Sequence, residues 1–140
     1  MRKKLKPKVK FLAIAPFVVF FDQLSKYIAG DIVPIICNKG IAFGIGLSGS
    51  FGIIIALTVL PLIFYLMIRE KKIPSAIGLS LIFGGGVSNL VDRLMLGCVR
   101  DFINLPSWTR WPSFNLADSA ISIGVLIIGY QLIHRHGKKA

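Results

Sequence analysis

The groups in this sequence best suited to chemistry are carboxylates. The chain has six acidic residues, Asp22, Asp31, Glu70, Asp92, Asp101 and Asp118. Other chemistries fail on residue type or place. His134 and His136 stand in a basic C-terminal tail, far from the acids. Ser25 is adjacent to Lys26, which is badly placed for serine–lysine catalysis. Cys37 and Cys98 have no histidine beside them and make a poor zinc site. Two carboxyls held about 3 Å apart cannot both ionise easily, so they share a proton and their apparent pKa values split. The ionised member can take a proton from water, and the protonated member can polarise a carbonyl. That is aspartic-protease chemistry.

These acids lie in stripes. In "FNLADSAISIG", residues 114 to 124, Asn115, Asp118, Ser119 and Ser122 stand at helical offsets and share one face. Asp22, Ser25 and Lys26 make a second stripe, and Asn89, Asp92 and Arg93 a third. A charge in a bilayer helix costs about 2.5–3.5 kcal/mol on insertion scales. Three polar stripes at one depth therefore imply a shared pocket between helices, because facing lipid separately would leave each charge unpaired.

Composition says what must position them. The chain has 140 residues and is 54% hydrophobic, with a mean hydropathy of +0.73. A hydrocarbon core of about 30 Å needs about 20 apolar residues as helix. Four stretches qualify, at about 11–30, 46–68, 75–96 and 114–133. The reading is an all-α membrane protein, one domain over residues 1–140, with four transmembrane helices. The basic, apolar N-terminus resembles a signal peptide. It runs without a small-x-small cleavage site into "DQLSK" and is read as a retained first helix.

A net charge of +11 could suggest nucleic acid. Position argues otherwise. Twelve of the 17 basic residues flank the four segments on one side: six between Arg2 and Lys10, then Arg69, Lys71, Lys72, Arg135, Lys138 and Lys139. The positive-inside rule makes that side cytoplasmic, with both termini inside and the acids near the outer leaflet. Trp108 and Trp111, in the second outer loop, suit the headgroup level. "GIGLSG", with Gly44, Gly46 and Gly49, fits a dinucleotide fingerprint only as a decoy, since no strand precedes it. Ser80, Gly84 and Ser88 repeat every four residues and read as small-residue helix packing. Cys37 and Cys98 share the outer side. A disulfide is open to them, and two small, partly buried thiols are the plainer reading.

Roles separate by available partners. Asp22 and Lys26 can pair at i, i+4, and Asp92 and Arg93 can satisfy partners at a helix end. Asp22, Lys26, Asn89, Asp92 and Arg93 are therefore read as structural polar support. Asp101 and Asp118 lack an equally obvious cation, since Arg100, as a strand neighbour of Asp101, would point to the opposite face. Asn38 and Asn115 lie at the outer rim, where an amide can orient substrate or the acid pair through donor and acceptor together. A proton- or ion-coupled small transporter is the alternative. It is weakened by acids that gather at one face only. A non-catalytic lipid-binding protein is a third reading, opposed by the intact acid pair.

Four blocks, "DQLSK" at 22–26, "NKGIAFGI" at 38–45, "GGGVSNLVDRLMLGCVRDFI" at 84–103 and "FNLADSAI" at 114–121, resemble bacterial lipoprotein signal peptidase, the signal peptidase II family. The resemblance implies an aspartic endopeptidase that cleaves diacylglyceryl-modified prolipoproteins before the lipidated cysteine, at the extracytoplasmic face of the bacterial cytoplasmic membrane. It implies Asp101 and Asp118 as the catalytic pair, with Asp22, Lys26, Asn38, Asn89, Asp92, Arg93 and Asn115 as further important polar positions. No metal and no cofactor are expected. The expected partners are prolipoprotein substrates and membrane lipids, not nucleic acid, and the expected state is a monomer. Family members usually carry a longer insert, forming a small β-structure, where this chain has only residues 27–37. That element should be shortened or absent here.

Overall fold

The computed structural model describes residues 11–40 and 49–137. Among these stand four helices, α1 (Ile14–Gly30), α2 (Gly49–Arg69), α3 (Ile73–Leu96) and α4 (Leu116–Gly137). Two short strands, β1 (Ile36–Asn38) and β2 (Val99–Asp101), pair antiparallel. A small β element is thus present, and it is built from two loops: β1 lies between α1 and α2, and β2 follows α3. The anticipated start of the second helix near residue 46 lies outside the described residues, as do Gly44 and Gly46 of the glycine motif.

Among the described residues, three helical segments are long and apolar enough to cross a membrane: Ser50–Arg69, Ile73–Leu96 and Leu116–His134. Helix α1 has 17 residues, or roughly 26 Å at 1.5 Å per residue. Burial is inverted relative to a water-soluble bundle. The largest fully buried side chains are Lys26, Asn115, Asp22, Asp92 and Asp101, followed by Ser80 and Ser88. Phe17, Leu126 and Ile133 are exposed. Apolar flanks around a polar centre fit hydrocarbon as the surrounding solvent, where helices satisfy their own backbone groups.

Helix α3 is the centre of the bundle and packs against the other three. Its small residues make this possible. A Cβ on Gly84 would come within 2.8 Å of the Ala15 carbonyl oxygen of α1, and one on Gly85 within 2.5 Å of the Ala117 carbonyl oxygen of α4. Close backbone approach is the main packing device between helices in lipid, where apolar side chains gain little from one another. Pro74 sits in the first turn, where its missing N–H is not needed. Gly97, at φ 73°, ends the helix in the left-handed conformation. Only Cys98 separates that stop from β2, so the strand begins at the C-terminal end of α3.

Helix α4 begins two residues later than its apolar pattern suggests. Phe114 bridges to Ile103 in extended backbone, and Asn115 is the cap. Its Oδ1 accepts the Asp118 backbone N–H at 2.9 Å, and Asp118 Oδ2 accepts the Asn115 N–H at a longer 3.4 Å. This reciprocal arrangement is a capping box written as Asn-x-x-Asp. Asp22 of α1 takes a further first-turn donor, the Ala117 N–H, at 2.8 Å. The start of α4 is therefore fixed by side chains of the polar centre itself.

Candidate active site

The polar centre divides into two groups of carboxylates. In the first, Lys26 is fully buried and spends its three N–H donors on three oxygens. Nζ lies 2.6 Å from Asp22 and 3.1 Å from Asp92, and it donates to Asn89 Oδ1 at 3.2 Å. Arg100 closes on Asp92 from β2, with Nη2 at 2.8 Å from Oδ1, Nε at 3.3 Å from Oδ2, and its backbone N–H at 2.9 Å from Oδ2. Gln23 donates to Asp92 Oδ1 and to Ser88 Oγ, each at 2.9 Å, and accepts from Arg100 Nη2 at 2.7 Å. Ser88 Oγ donates to Asp22 Oδ2 at 2.6 Å. Two acids thus meet two cations, and their remaining oxygen sites are met by hydroxyl, amide and backbone donors. That is the condition under which buried charge is tolerable.

In the second group, amides replace cations. Asp101 Oδ2 accepts from Asn38 Nδ2 at 2.9 Å, and Oδ1 accepts from Asn115 Nδ2 at 2.8 Å. Asp118 Oδ1 accepts from Asn89 Nδ2 at 2.8 Å. Asn115 Nδ2 also donates to Asn89 Oδ1 at 3.1 Å. Among the described residues, neither Asp101 nor Asp118 is in an ion pair. Burial pushes the Asp101 carboxyl above the ordinary range. The Asn38 donation opposes that shift, and the nearby Asp118 charge adds to it.

Strand alternation explains the split. In β2, Val99 and Asp101 are buried on one face and half-buried Arg100 lies on the other. Arg100 therefore reaches Asp92 and leaves Asp101 to the amides, as the sequence pattern implied. All nine anticipated polar residues lie at or beside this centre. The structure redraws their partners. Asn89, read as support, touches Asp118 directly. Arg93 does not share the inward face of Asp92. Successive helix residues diverge by about 100°, and Arg93 instead donates from Nη2 to the Gly40 carbonyl at 3.0 Å. The stripes also shorten. Ser25 and Ser122 bond back to the carbonyls of Asp22 and Asp118, and Ser122 is exposed.

Three participants were missed. From sequence Gln23 receives no role, and Arg100 is weighed only to exclude it as a partner of Asp101, although each carries the planar donor group that a buried carboxylate needs. Ser88 was read only as a small packing residue. The cysteines also need correction. Cys37 and Cys98 are joined as a disulfide, with Cα atoms 5.5 Å apart. The β pairing brings them together, a contact that sequence spacing does not reveal.

Comparison with known proteins agrees with this architecture. A family model described as signal peptidase (SPase) II matches residues 14–134. The lipoprotein signal peptidase of Polynucleobacter necessarius subsp. necessarius (strain STIR1) is 36% identical, over 94% of this chain and 94% of that protein. That of Moorella thermoacetica (strain ATCC 39073 / JCM 9320) is 36% identical, over 92% of this chain and 96% of its own length. A bacterial membrane enzyme solved by the in meso method at 2.3 Å resolution superposes with a TM-score of 0.84 at 32% identity, covering 94% of this chain and 92% of that one. With the family model matching residues 14–134 and relatives 36% identical over more than nine-tenths of its length, the chain belongs to the signal peptidase II family.

Proposed function

We propose that this protein removes signal peptides from diacylglyceryl-modified prolipoproteins as an aspartic endopeptidase, cutting before the lipidated cysteine. The family supplies the reaction. The catalytic type rests on one observation: the two ion-pairing cations, Lys26 and Arg100, bind Asp22 and Asp92, while Asp101 and Asp118 are held by asparagine amides, with the Arg93 charge near both and in an ion pair with neither. An ion-paired carboxylate is committed to its ionised form. An amide-held pair in a buried site is free to share a proton.

In this mechanism one carboxylate of the pair takes a proton from water as the oxygen attacks the scissile carbonyl carbon. The other, protonated, donates to the carbonyl oxygen. Collapse of the tetrahedral species passes a proton to the leaving amine and returns the pair to its starting state. Asn38, Asn89 and Asn115 orient the pair. Asp22, Lys26, Asp92, Arg100, Gln23 and Ser88 hold α1, α3, α4 and β2 in the positions that bring it together.

The same reading places four helices across the bacterial cytoplasmic membrane, both termini in the cytoplasm, and the acid pair at the extracytoplasmic surface. Lipid tails would stay in the bilayer while the peptide enters from the interface. The transporter alternative gains no support, because the polar centre gathers at one end of the bundle. The test is cleavage of a diacylglyceryl-modified prolipoprotein by purified wild type beside Asp101→Asn and Asp118→Asn. Substantial cleavage by either folded variant would remove that residue from the pair.

A further inference from the structure

The disulfide and the Asn38 contact sit on opposite faces of the same three-residue strand. In the β1–β2 register Cys37 faces Arg100, Asn38 faces Val99 and Ile36 faces Asp101. Cys98 is two residues before Arg100, so it is the diagonal neighbour of Cys37 on that face. Asp101 is two residues after Val99, so it is the diagonal neighbour of Asn38 on the other. One face carries the covalent tie. The other carries the Asn38 Nδ2 donation to Asp101 Oδ2 at 2.9 Å.

A two-stranded ribbon of three residues per strand is marginal alone, and β1 gains little from burial, since Ile36 and Cys37 are exposed and Asn38 is half-buried. Register is weakly specified in such a strand, and a slip of one residue would turn the Asn38 side chain to the wrong face. The cysteines are 61 residues apart in sequence, with α2 and α3 between them, so the tie is not local. We infer that the Cys37–Cys98 disulfide is a positioning device for Asp101: it fixes the register of β1 so that Asn38 keeps its amide on the carboxylate, and its reduction by a dithiol impairs the reaction. This rests on the proposed role of Asp101.

Reduction balances simply. One thiolate of dithiothreitol attacks the sulfur of exposed Cys37, and Cys98 leaves as a thiolate that takes a proton. The second dithiothreitol thiol then displaces Cys37. Two cysteine thiols and one cyclic disulfide result, with the dithiol supplying two electrons. The Asn38 and Asn115 donations and the Lys26 and Arg93 charges favour ionised Asp101, and the Asp118 charge opposes it; the proton belongs to the pair, so loosening the Asn38 contact alone shifts the titration of the pair toward higher pH.

The experiment measures kcat/KM against pH for the full-length protein, oxidised and after dithiothreitol, with maleimide counting of free thiols and a melting curve at each state. A diacylglyceryl-modified prolipoprotein is the substrate. The reduced enzyme and the Cys37→Ser/Cys98→Ser double variant should stay folded and show the profile displaced upward by about half a pH unit, a loss of about threefold on the acidic limb. Asn38→Ala should show the same displacement when oxidised and none further on reduction. A fully reduced enzyme with the wild-type profile would overturn the inference. So would a loss equal at every pH that tracks loss of the folded state, since that is a general staple. Asp101→Asn separates the two levels. If it is inactive while the profile ignores reduction, only the positioning role falls; if it still cleaves, the role of Asp101 falls and the inference with it.

Discussion

Asn89 and Asn115 hold each other, with Asn115 Nδ2 donating to Asn89 Oδ1 at 3.1 Å, and each gives another N–H to one member of the candidate pair. Asn115 serves Asp101 at 2.8 Å, and Asn89 serves Asp118 at 2.8 Å. The two carboxylates are thus tied through a neutral relay that starts on α3 and on the cap of α4. Neutral donors orient an acid without fixing its charge, which a pair that exchanges one proton requires.

Asp101→Asn and Asp118→Asn should each reduce cleavage by at least about 100-fold, the lower end for loss of a positioned acid or base. The double variant should be little worse than either single one, because each already removes the shared-proton unit. Single-turnover rates on a diacylated substrate, with binding measured separately, would check this. Additive losses would mean that the two acids act independently.

Asn89→Ala should lower kcat more than it lowers the melting temperature, because its amide touches Asp118 and orients the pair. Asn115→Ala should do both. It removes the helix cap, at about 0.5–2 kcal/mol, and also the donor to Asp101. Paired melting curves and kinetics distinguish them. An Asn89→Ala protein with full activity would remove the relay from the mechanism.

Lys26→Met should act on folding first. It leaves Asp22 and Asp92 facing each other with one cation fewer, and breaking a buried pair from one side costs about 3–5 kcal/mol. Low folded yield and a depressed melting temperature are the expected outcome. A stable but inactive Lys26→Met protein would instead move this lysine into the chemistry.

The pH profile of cleavage should be bell-shaped. Burial holds the Asp101 carboxyl above its ordinary range, and the neighbouring Asp118 charge pushes the same way. One carboxyl of the pair must be ionised, so activity falls as pH drops and the second proton is taken up. It falls again as pH rises and the shared proton is lost. The alkaline limb should lie well above the usual carboxylate pKa, because a second negative charge in a buried site is disfavoured. A profile flat on its alkaline side up to lysine pKa values would argue against a required neutral carboxyl.

Topology offers an independent check. Trp108 is exposed, at 83% of its surface, and lies in the loop assigned to the outer side. In Trp108→Cys, with Cys37 and Cys98 both changed to Ser, a membrane-impermeant maleimide should label intact cells from outside. Labelling only after the membrane is opened would reverse the orientation.

Much was legible in the sequence because the signals were local. Apolar length specified four helices, spacing put Asp22 with Lys26 and Asn115 with Asp118 on shared turns, and strand alternation already separated Arg100 from Asp101. What the tertiary structure decided are the pairings between distant residues. Asp22 caps Ala117 across 95 positions, and Gln23 meets Arg100 across 77. Lys26 lies between acids of two helices, and Cys37 finds Cys98 only because β1 pairs with β2. Arg93 stands next to Asp92 in sequence yet donates to the Gly40 carbonyl, a partner 53 positions away. A stripe of polar residues shows that a buried charge must be compensated. Which cation, amide or backbone N–H compensates it depends on how closely the helices approach, and that was set by the small residues of α3.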